Sequence, residues 1–214
     1  MVLLDTQKYI EIIISRLRKQ YPDAKTELLH KNPLELLIAT VLSAQATDKS
    51  VNKVTPILFS KYKYANDFAD ADLSDIEKSI STINFYKTKA KNIKKICTIL
   101  EIEFRGVVPN TMDELIRLPG VARKTANIVL TEGYGIIDGI AVDTHVTRLS
   151  GRLGLTENTD PKKIEKDLMN IADKSDWRNI SNLLILHGRA VCSAKTPNCK
   201  ECVLNDICPS AFKV

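Results

Sequence analysis

The most reactive side chains of this sequence are four cysteines that crowd its C-terminal end. The chain of 214 residues holds five cysteines, and four follow a C-x6-C-x2-C-x5-C spacing: Cys192, Cys199, Cys202 and Cys208. Four thiolates in one short segment suit a tetrahedral metal ion or an iron–sulfur cluster, because both need converging soft ligands. A set of disulfides fits poorly with an intracellular chain and with a distribution confined to one end. The spacing favours metal or cluster binding without separating zinc from iron–sulfur.

A second candidate site is the segment 118–127, with the sequence LPGVARKTAN. It lies between two helical patterns, which predicts a tight hairpin where Gly120 allows a sharp turn and a close approach to a ligand. A helix beginning near Arg123 points amide N–H groups at that turn, and such groups bind anions, including nucleic-acid phosphates. Lys124 in the first helical turn is either an ordinary solvated charge or a primary amine held close to a bound backbone.

A third candidate is Asp143, in the segment AVDTH that precedes a helical pattern over residues 144–153. An aspartate at that position is commonly the N-cap of the helix. It also suits an electrostatic or base role, since N–H donors and the helix dipole favour its negative charge. His145 and His187 lie on helical patterns among apolar residues, and we predict that both are structural.

Helical patterns surround these three sites. Apolar residues recur at helical spacing along almost the whole sequence, and no window alternates with period two over several turns. The predicted apolar stripes are Ile10, Ile13, Ile14 and Leu17; Leu36, Leu37, Thr40 and Val41; Ile93, Ile96, Cys97 and Leu100; Ile164, Leu168 and Ile171; and Ile180, Leu183, Leu184 and His187. Capping signals predict helix starts at Asn32-Pro33, Ser74 with Glu77, Thr111 with Glu114, and Asp160-Pro161. These patterns predict an all-α protein with Cys97 in the core and a break between lobes at the glycine-rich residues 133–139.

Composition and charge narrow the class of protein. The net charge is +5 and the sequence pI is about 8.9, which is compatible with a polyanionic partner and equally ordinary for a soluble protein. No signal peptide is apparent, and no apolar run approaches the roughly 20 residues that cross a bilayer. We therefore expect a soluble, intracellular protein, in the cytoplasm or nucleoid and without membrane contact.

The hairpin with its lysine, the downstream VDTH and the cysteine spacing together resemble the endonuclease III family of DNA glycosylases. The resemblance spans nearly the whole chain and includes residues 36–52 (LLIATVLSAQATDKSVN), 85–93 (FYKTKAKNI), 118–130 and 184–189 (LILHGR). It implies an all-α, two-lobed helix-hairpin-helix glycosylase fold. Residues 26–137 would form a six-helix barrel lobe with the hairpin at about 111–132, and residues 138–214 an iron–sulfur cluster lobe that packs with an N-terminal helix at 1–25.

The same resemblance implies an activity. The chain would be a monomeric, bifunctional DNA glycosylase and AP lyase that removes oxidised pyrimidines from double-stranded DNA and cuts 3′ to abasic sites by β-elimination. Lys124 would be the nucleophile and Asp143 its charge partner, on opposite lips of a cleft between the lobes. The four C-terminal cysteines would ligate a 4Fe–4S cluster.

The resemblance also assigns DNA contacts. Gln45 would fill the gap left by a flipped-out nucleotide, and Phe85 would wedge from the other side. Taken from the residues alone, Gln45 would be a polar residue at a helix end and Phe85 a core aromatic. The other residues assigned to DNA are Leu118, Gly120, Ala122 and Arg123 in the hairpin, and Arg189, Lys195 and Lys200 near the cysteines.

Two positions depart from the family pattern. Ala122 stands where a second hairpin glycine is common, so we predict ordinary helical dihedrals there. Asn84 stands before Phe85 where a glycine is frequent. Neither departure touches the chemistry, and both bear on the fit to DNA.

Three other functions remain alternatives. Adenine-specific mismatch glycosylases share the architecture and the cluster, but typically lack the lysine. A thymine- or uracil-mismatch glycosylase is harder to separate, because motifs do not describe the base pocket. The non-enzymatic alternative is a DNA-binding hairpin with a structural metal, which the combination of Lys124 and Asp143 disfavours.

Overall fold

The structure, a computed structural model, describes residues 6–214, and every α-helix or shorter helical turn among them belongs to one of two compact units. We call Glu27–Asp138 the hairpin unit. The cysteine unit joins the N-terminal stretch up to Thr26 to Gly139–Val214. Within the described residues there is no β-strand, so the prediction of an all-α protein is confirmed. No helix in that range is long and apolar enough to span a bilayer.

The hairpin unit is built around its longest helix, α6, which packs against α2, α4 and α5. Its helices are α2 Pro33–Ser43, α3 Asp48–Lys61, α4 Ala65–Asp70, α5 Leu73–Ser79, α6 Tyr86–Phe104, α7 Met112–Leu115 and α8 Arg123–Ile128, which runs into a π-helical turn at Val129–Gly133. The predicted stripe of Ile93, Ile96, Cys97 and Leu100 is fully buried along α6. Because burying each large aliphatic side chain stabilises by about 1.5–3 kcal/mol, this stripe anchors α6 in the core.

The cysteine unit has a separate apolar core. Its helices are α1 Thr6–Gln20, α9 Thr144–Arg152, α10 Pro161–Ile171 and α11 Trp177–Ala190, with short 3₁₀ turns at Lys174–Asp176 and Cys199–Glu201. Helix α1 packs against α10 and α11, and α11 packs against α9. The stripes predicted in α1 and α11 are buried, including His187, so these faces are confirmed as the inner ones.

Helix starts follow the sequence where a side chain caps the first turn. The Asn32 side chain accepts from the Glu35 amide at 2.9 Å, and Asp160 caps α10 in the same way. Thr111 caps α7, although the Glu114 carboxylate accepts from the Thr111 hydroxyl instead of reaching the backbone. The predicted start at Ser74 is wrong. Helix α5 begins at Leu73, because Leu73 packs against the core and belongs inside the first turn.

Candidate functional site

The predicted hairpin joins α7 to α8 through a tight turn. The Val121 amide donates to the Leu118 carbonyl at 3.1 Å, and Gly120 between them has a φ of +79°. The positive φ favours glycine, and a Cβ there would lie 2.7 Å from Nδ2 of Asn92 in α6, so that a larger residue would also displace the Asn92 side chain. Leu118 is buried in the core and anchors the start of the turn.

The helical dihedrals predicted for Ala122 are wrong. Its φ of −89° and ψ of 168° are extended, because Ala122 is the N-cap of α8, a position that precedes the helical dihedrals. Alanine has no side-chain acceptor, and it makes no capping hydrogen bond. Arg123 and Lys124 open the helix, and both side chains are half-buried. Lys124 thus lies in the first turn of α8, two residues after the exposed N-cap Ala122, and its place in the first helical turn is as the sequence predicted.

Asp143 caps α9, as the conservative interpretation of the sequence predicted. Its Oδ1 accepts from the amides of His145 and Val146, both at 2.8 Å. The preceding segment is fixed as well, since the Ser181 hydroxyl of α11 donates to the Ala141 carbonyl at 2.7 Å. These bonds hold a half-buried carboxylate in one orientation. A capping role and an electrostatic role are compatible. One carboxylate oxygen accepts the hydrogen bonds that cap α9, and the negative charge of the group can still stabilise a nearby positive charge.

Gln45 and Phe85 occupy two adjacent turns of the hairpin unit. Both residues are exposed and both adopt left-handed backbone conformations, with φ of 54° and 58°. Such a conformation costs a residue with a side chain of the order of 1–3 kcal/mol and clusters at functional sites. The Asn84 side chain joins the turns by donating to the Gln45 carbonyl at 3.1 Å. Since Phe85 is 64% exposed, the alternative interpretation as a core aromatic is wrong.

The four C-terminal cysteines line one pocket of the cysteine unit, together with Arg152 and His187. Burial raises the pKa of the Cys202 and Cys208 thiols, and neighbouring cysteine sulfurs raise it further. Within residues 6–214, no three His, Cys, Asp or Glu side chains are placed to hold a single metal ion. The fifth cysteine, Cys97, is buried in α6 as predicted, and burial raises its pKa to about 12.

Polar groups already point at these sulfurs. Arg152 Nη1 lies 3.3 Å from the Sγ of Cys192, and the Leu204 amide donates to the Sγ of Cys202 at 3.4 Å. N–H groups aimed at sulfur stabilise thiolates, which is the ligand form of cysteine. The donor chemistry therefore fits a metal centre held by the four thiols.

Both predicted structural histidines have local partners. The ring of His187 lies between the Tyr21 hydroxyl, 3.2 Å from Nδ1, and the Sγ of Cys202, 3.3 Å from Nε2. Burial lowers the pKa of His187 to about 4, so the ring is neutral at physiological pH. His145 Nδ1 lies 3.1 Å from Arg148 Nη2 within α9.

The basic residues near the cysteines are exposed. Arg189 lies in the last turn of α11, and Lys195 and Lys200 lie in the segment that follows. Asn84 was noted in the sequence as a departure from the family pattern, and one further residue that contacts these turns, Lys89, was not singled out. The available signal for Lys89 is its place on the apolar stripe of α6, one turn before Ile93, where a lysine is unusual.

Comparison with known proteins identifies the family. The model of the HhH-GPD superfamily base excision DNA repair proteins matches residues 38–174. Endonuclease III of Synechocystis is 53% identical over 205 residues, covering 96% of this chain and 93% of that protein. Endonuclease III of Bacillus subtilis is 44% identical, covering 96% and 94%. The chain belongs to the endonuclease III family.

Solved structures agree with this membership. A trapped endonuclease III–DNA covalent intermediate, in an estranged-adenine complex, matches with a TM-score of 0.93 and 44% identity over 99% of each chain. A thermostable thymine-DNA glycosylase has a TM-score of 0.88 at 21% identity, which shows the shared fold alone. As a member of the family, the chain is a base excision DNA repair enzyme.

Proposed function

We propose that this chain removes oxidised pyrimidines from double-stranded DNA and then cuts the strand 3′ to the abasic sugar. It is a bifunctional DNA glycosylase and AP lyase, and Lys124 supplies the nucleophile of both steps. The observation that carries the proposal is likeness over 99% of the chain to an endonuclease III trapped covalently on DNA. Lys124 supports it, since it opens a helix directly behind a glycine turn that a DNA backbone can approach.

The Lys124 amine forms the covalent bond to DNA. The neutral Lys124 amine attacks C1′ of the damaged nucleotide, the new N–C1′ bond forms, and the glycosidic bond breaks with its electron pair leaving on the base. The attacking nitrogen then gives up one proton, which the departing base takes up. As the C1′–O4′ bond breaks, O4′ takes up a proton and the nitrogen lone pair forms a protonated Schiff base between Lys124 and C1′. Removal of a proton from C2′ then expels the 3′ phosphate by β-elimination, and hydrolysis of the imine frees the lysine.

Asp143 supplies negative charge while the sugar becomes positive. Base departure leaves oxocarbenium character on the sugar, and a fixed carboxylate stabilises that charge without reorganising. Its fixed orientation supports this role, because the His145 and Val146 amides hold one oxygen and Ser181 holds the preceding segment. Asp143 is therefore proposed both to cap α9 and to stabilise the transition state.

DNA binding must extract the damaged nucleotide from the duplex before the amine can reach it. Flipping costs a few kcal/mol, and a lesion lowers that cost. Gln45 fills the vacated space and Phe85 wedges into the stack, a role supported by the exposed, left-handed turns that carry them. The backbone of the hairpin from Leu118 to Arg123 binds phosphate.

The four clustered cysteines are proposed to hold a 4Fe–4S cluster. Four thiols that line one pocket, with N–H groups aimed at two of them, support this ligand set. When bound, the cluster supplies a rigid cross-link between the end of α11 and the C-terminal segment. That cross-link would hold the segment with Arg189, Lys195 and Lys200 in position to contact phosphate.

We also expect the enzyme to act as a monomer at the nucleoid.

A panel of duplexes tests the substrate. The enzyme should nick DNA that carries thymine glycol or an abasic site, and leave DNA with uracil opposite G or adenine opposite 8-oxoguanine nearly intact. Preferential release of uracil or thymine from mismatches would replace the proposed specificity by that of a mismatch glycosylase. Binding without nicking of any duplex, the abasic one included, would reduce the chain to a DNA-binding module.

A further inference from the structure

A buried lysine of α6 reaches the turn that carries Gln45. The Lys89 side chain is only 6% exposed, and its Nζ donates to the carbonyls of Leu42 at 2.8 Å and Ala44 at 2.7 Å. Leu42 lies in the last turn of α2, and Ala44 is the C-cap of that helix. Burial lowers the pKa of Lys89, so its ammonium relies on these two oxygens in place of water.

The bonds around this turn account for every carbonyl from Leu42 to Gln45. Lys89 takes those of Leu42 and Ala44, the Ala46 amide donates to Ser43 at 3.0 Å, and Asn84 donates to Gln45 at 3.1 Å. A helix end usually leaves its last carbonyls to water or to a glycine turn. Here two side chains from the start of α6 and the residues before it hold the turn instead.

We propose that Lys89 and Asn84 are positioning residues that fix the Gln45 turn against the Phe85 turn, so that both side chains enter the DNA stack together. The proposal rests on the DNA roles of Gln45 and Phe85 under the proposed function. Both residues hold left-handed conformations, which persist only where the surrounding contacts over-determine them. Lys89 ties the Gln45 turn to α6, and Asn84, which lies just before α6, ties the Gln45 turn to the Phe85 turn.

The same helix offers a matched comparison for a purely stabilising role. Lys94 Nζ donates to the carbonyls of Ala69 and Ala71, both at 2.6 Å, at the end of α4. Both lysines lie on α6. Each donates to two carbonyl oxygens at the C-terminal end of a different neighbouring helix. No residue of α4 is assigned to DNA. Lys94→Met should therefore reproduce the stability loss of Lys89→Met without its effect on DNA.

The test is a double-mutant cycle in the full-length protein. The variants are Lys89→Met, Lys94→Met, Gln45→Ala and the double variant of Lys89 and Gln45. The measurements are the Kd for a duplex with a tetrahydrofuran abasic analogue and the midpoint of thermal unfolding. We expect Lys89→Met and Gln45→Ala each to weaken binding about tenfold, because the space left by the flipped nucleotide is no longer filled and the cost of the unstacked state is no longer offset. The double variant should be less than about twofold weaker than Gln45→Ala, since both changes remove the same contact.

Other results of this cycle would contradict either the positioning role of Lys89 or the DNA role of Gln45. Additive effects of Lys89→Met and Gln45→Ala, or an equal loss of affinity in Lys94→Met, would make Lys89 an ordinary stabilising residue. If Gln45→Ala binds like the wild type, the proposed DNA role of Gln45 fails and the positioning proposal fails with it. Should Lys89→Met not fold, Asn84→Ala carries the same cycle, because Asn84 is exposed and its expected loss of affinity is about threefold.

Discussion

The two units of this protein hold their functional residues by different means. In the hairpin unit, an apolar core runs through the helices, and side chains such as Lys89 and Asn84 fix the turns at its edge. In the cysteine unit, the apolar core is built mostly from α1, α9, α10 and α11, with a single buried contribution from beyond Ala190. Within residues 191–214, all of which the structure describes, Leu204 is the one buried residue. The hairpin unit is thus stabilised by burial, whereas the C-terminal segment depends on its cysteines and on polar contacts.

Hydrogen bonds from two arginines of α9 hold the start of the C-terminal segment, residues 191–214. Arg152 donates to the carbonyls of Ser193 at 2.7 Å and Ala194 at 2.9 Å, and Arg148 donates to the carbonyl of Cys192 at 3.0 Å. These bonds tie the start of the segment to α9, the helix that Asp143 caps. Under the proposed function, the hairpin unit carries the covalent chemistry, and the cysteine unit carries the charge of Asp143 and the cluster.

Lys124→Gln should produce the largest effect, because it removes the chemical contribution of the hairpin unit. We expect no strand cleavage and no borohydride-trapped adduct on abasic duplex, with the Kd for that duplex within about threefold of the wild type. Lys91→Gln, an exposed lysine of α6, is the control and should keep full activity. Wild-type trapping by the Lys124 variant would move the nucleophile elsewhere.

Asp143→Asn tests the contribution of the cysteine unit to catalysis. Asparagine caps helices as well as aspartate does, so the unfolding free energy should change by less than about 0.5 kcal/mol. Loss of the charge should slow base release about 10²–10³-fold in single-turnover measurements, as for other fixed electrostatic groups. The control is Asp160→Asn, since Asp160 caps α10 through the amides of Lys162 and Lys163. Equal, full activity of both variants would make Asp143 a helix cap and nothing more.

Cys199→Ala should separate the stabilities of the two units. We expect the loss of the yellow-brown colour and of bound iron and sulfide, and rapid hydrogen exchange in residues 191–214. Amides of α6 in the hairpin unit should keep their protection. Cys97→Ala is the matched control, because Cys97 is buried in α6 and should leave the colour unchanged. Stoichiometric zinc in protein made with ample iron under anaerobic conditions would contradict the cluster.

Phe85→Ala should produce the smallest effect. It tests whether the exposed Phe85 turn contributes to DNA binding. Removing the wedge should weaken binding to abasic duplex about fivefold, with thermal stability nearly unchanged because the side chain is exposed. Phe212→Ala provides the control, since Phe212 is 66% exposed and also left-handed, with a φ of 61°, but lies in the C-terminal segment. Equal losses of affinity in both variants would show that an exposed phenylalanine contributes non-specifically.

Much of the fold could be predicted because its signals are local. The caps at Asn32, Thr111 and Asp160 and the buried stripes depend on residues within one or two turns, and the structure confirms them. The start at Ser74 and the dihedrals of Ala122 were wrong, because packing of a neighbour and the position of a helix start decided them.

The contacts of the site were less predictable than its residues. The Lys89 bonds join residues 45 and 47 positions apart, and the left-handed turns of Gln45 and Phe85 carry no glycine to signal them. Contacts of that sequence separation depend on how the helices pack. The assignments of Lys124, Asp143 and the DNA-binding residues stay predictions from the resemblance, supported by the local geometry.

The central claim is that Lys124 forms the covalent bond to DNA, and mapping the trapped adduct tests it most directly. Wild-type protein is incubated with an abasic duplex, reduced with borohydride and digested with protease and nuclease. Tandem mass spectrometry then locates the residue that carries the sugar remnant. The account predicts a modification on Lys124 alone, within the segment that follows Arg123. A remnant on another lysine or on the N-terminal amine, with Lys124 unmodified, would contradict it.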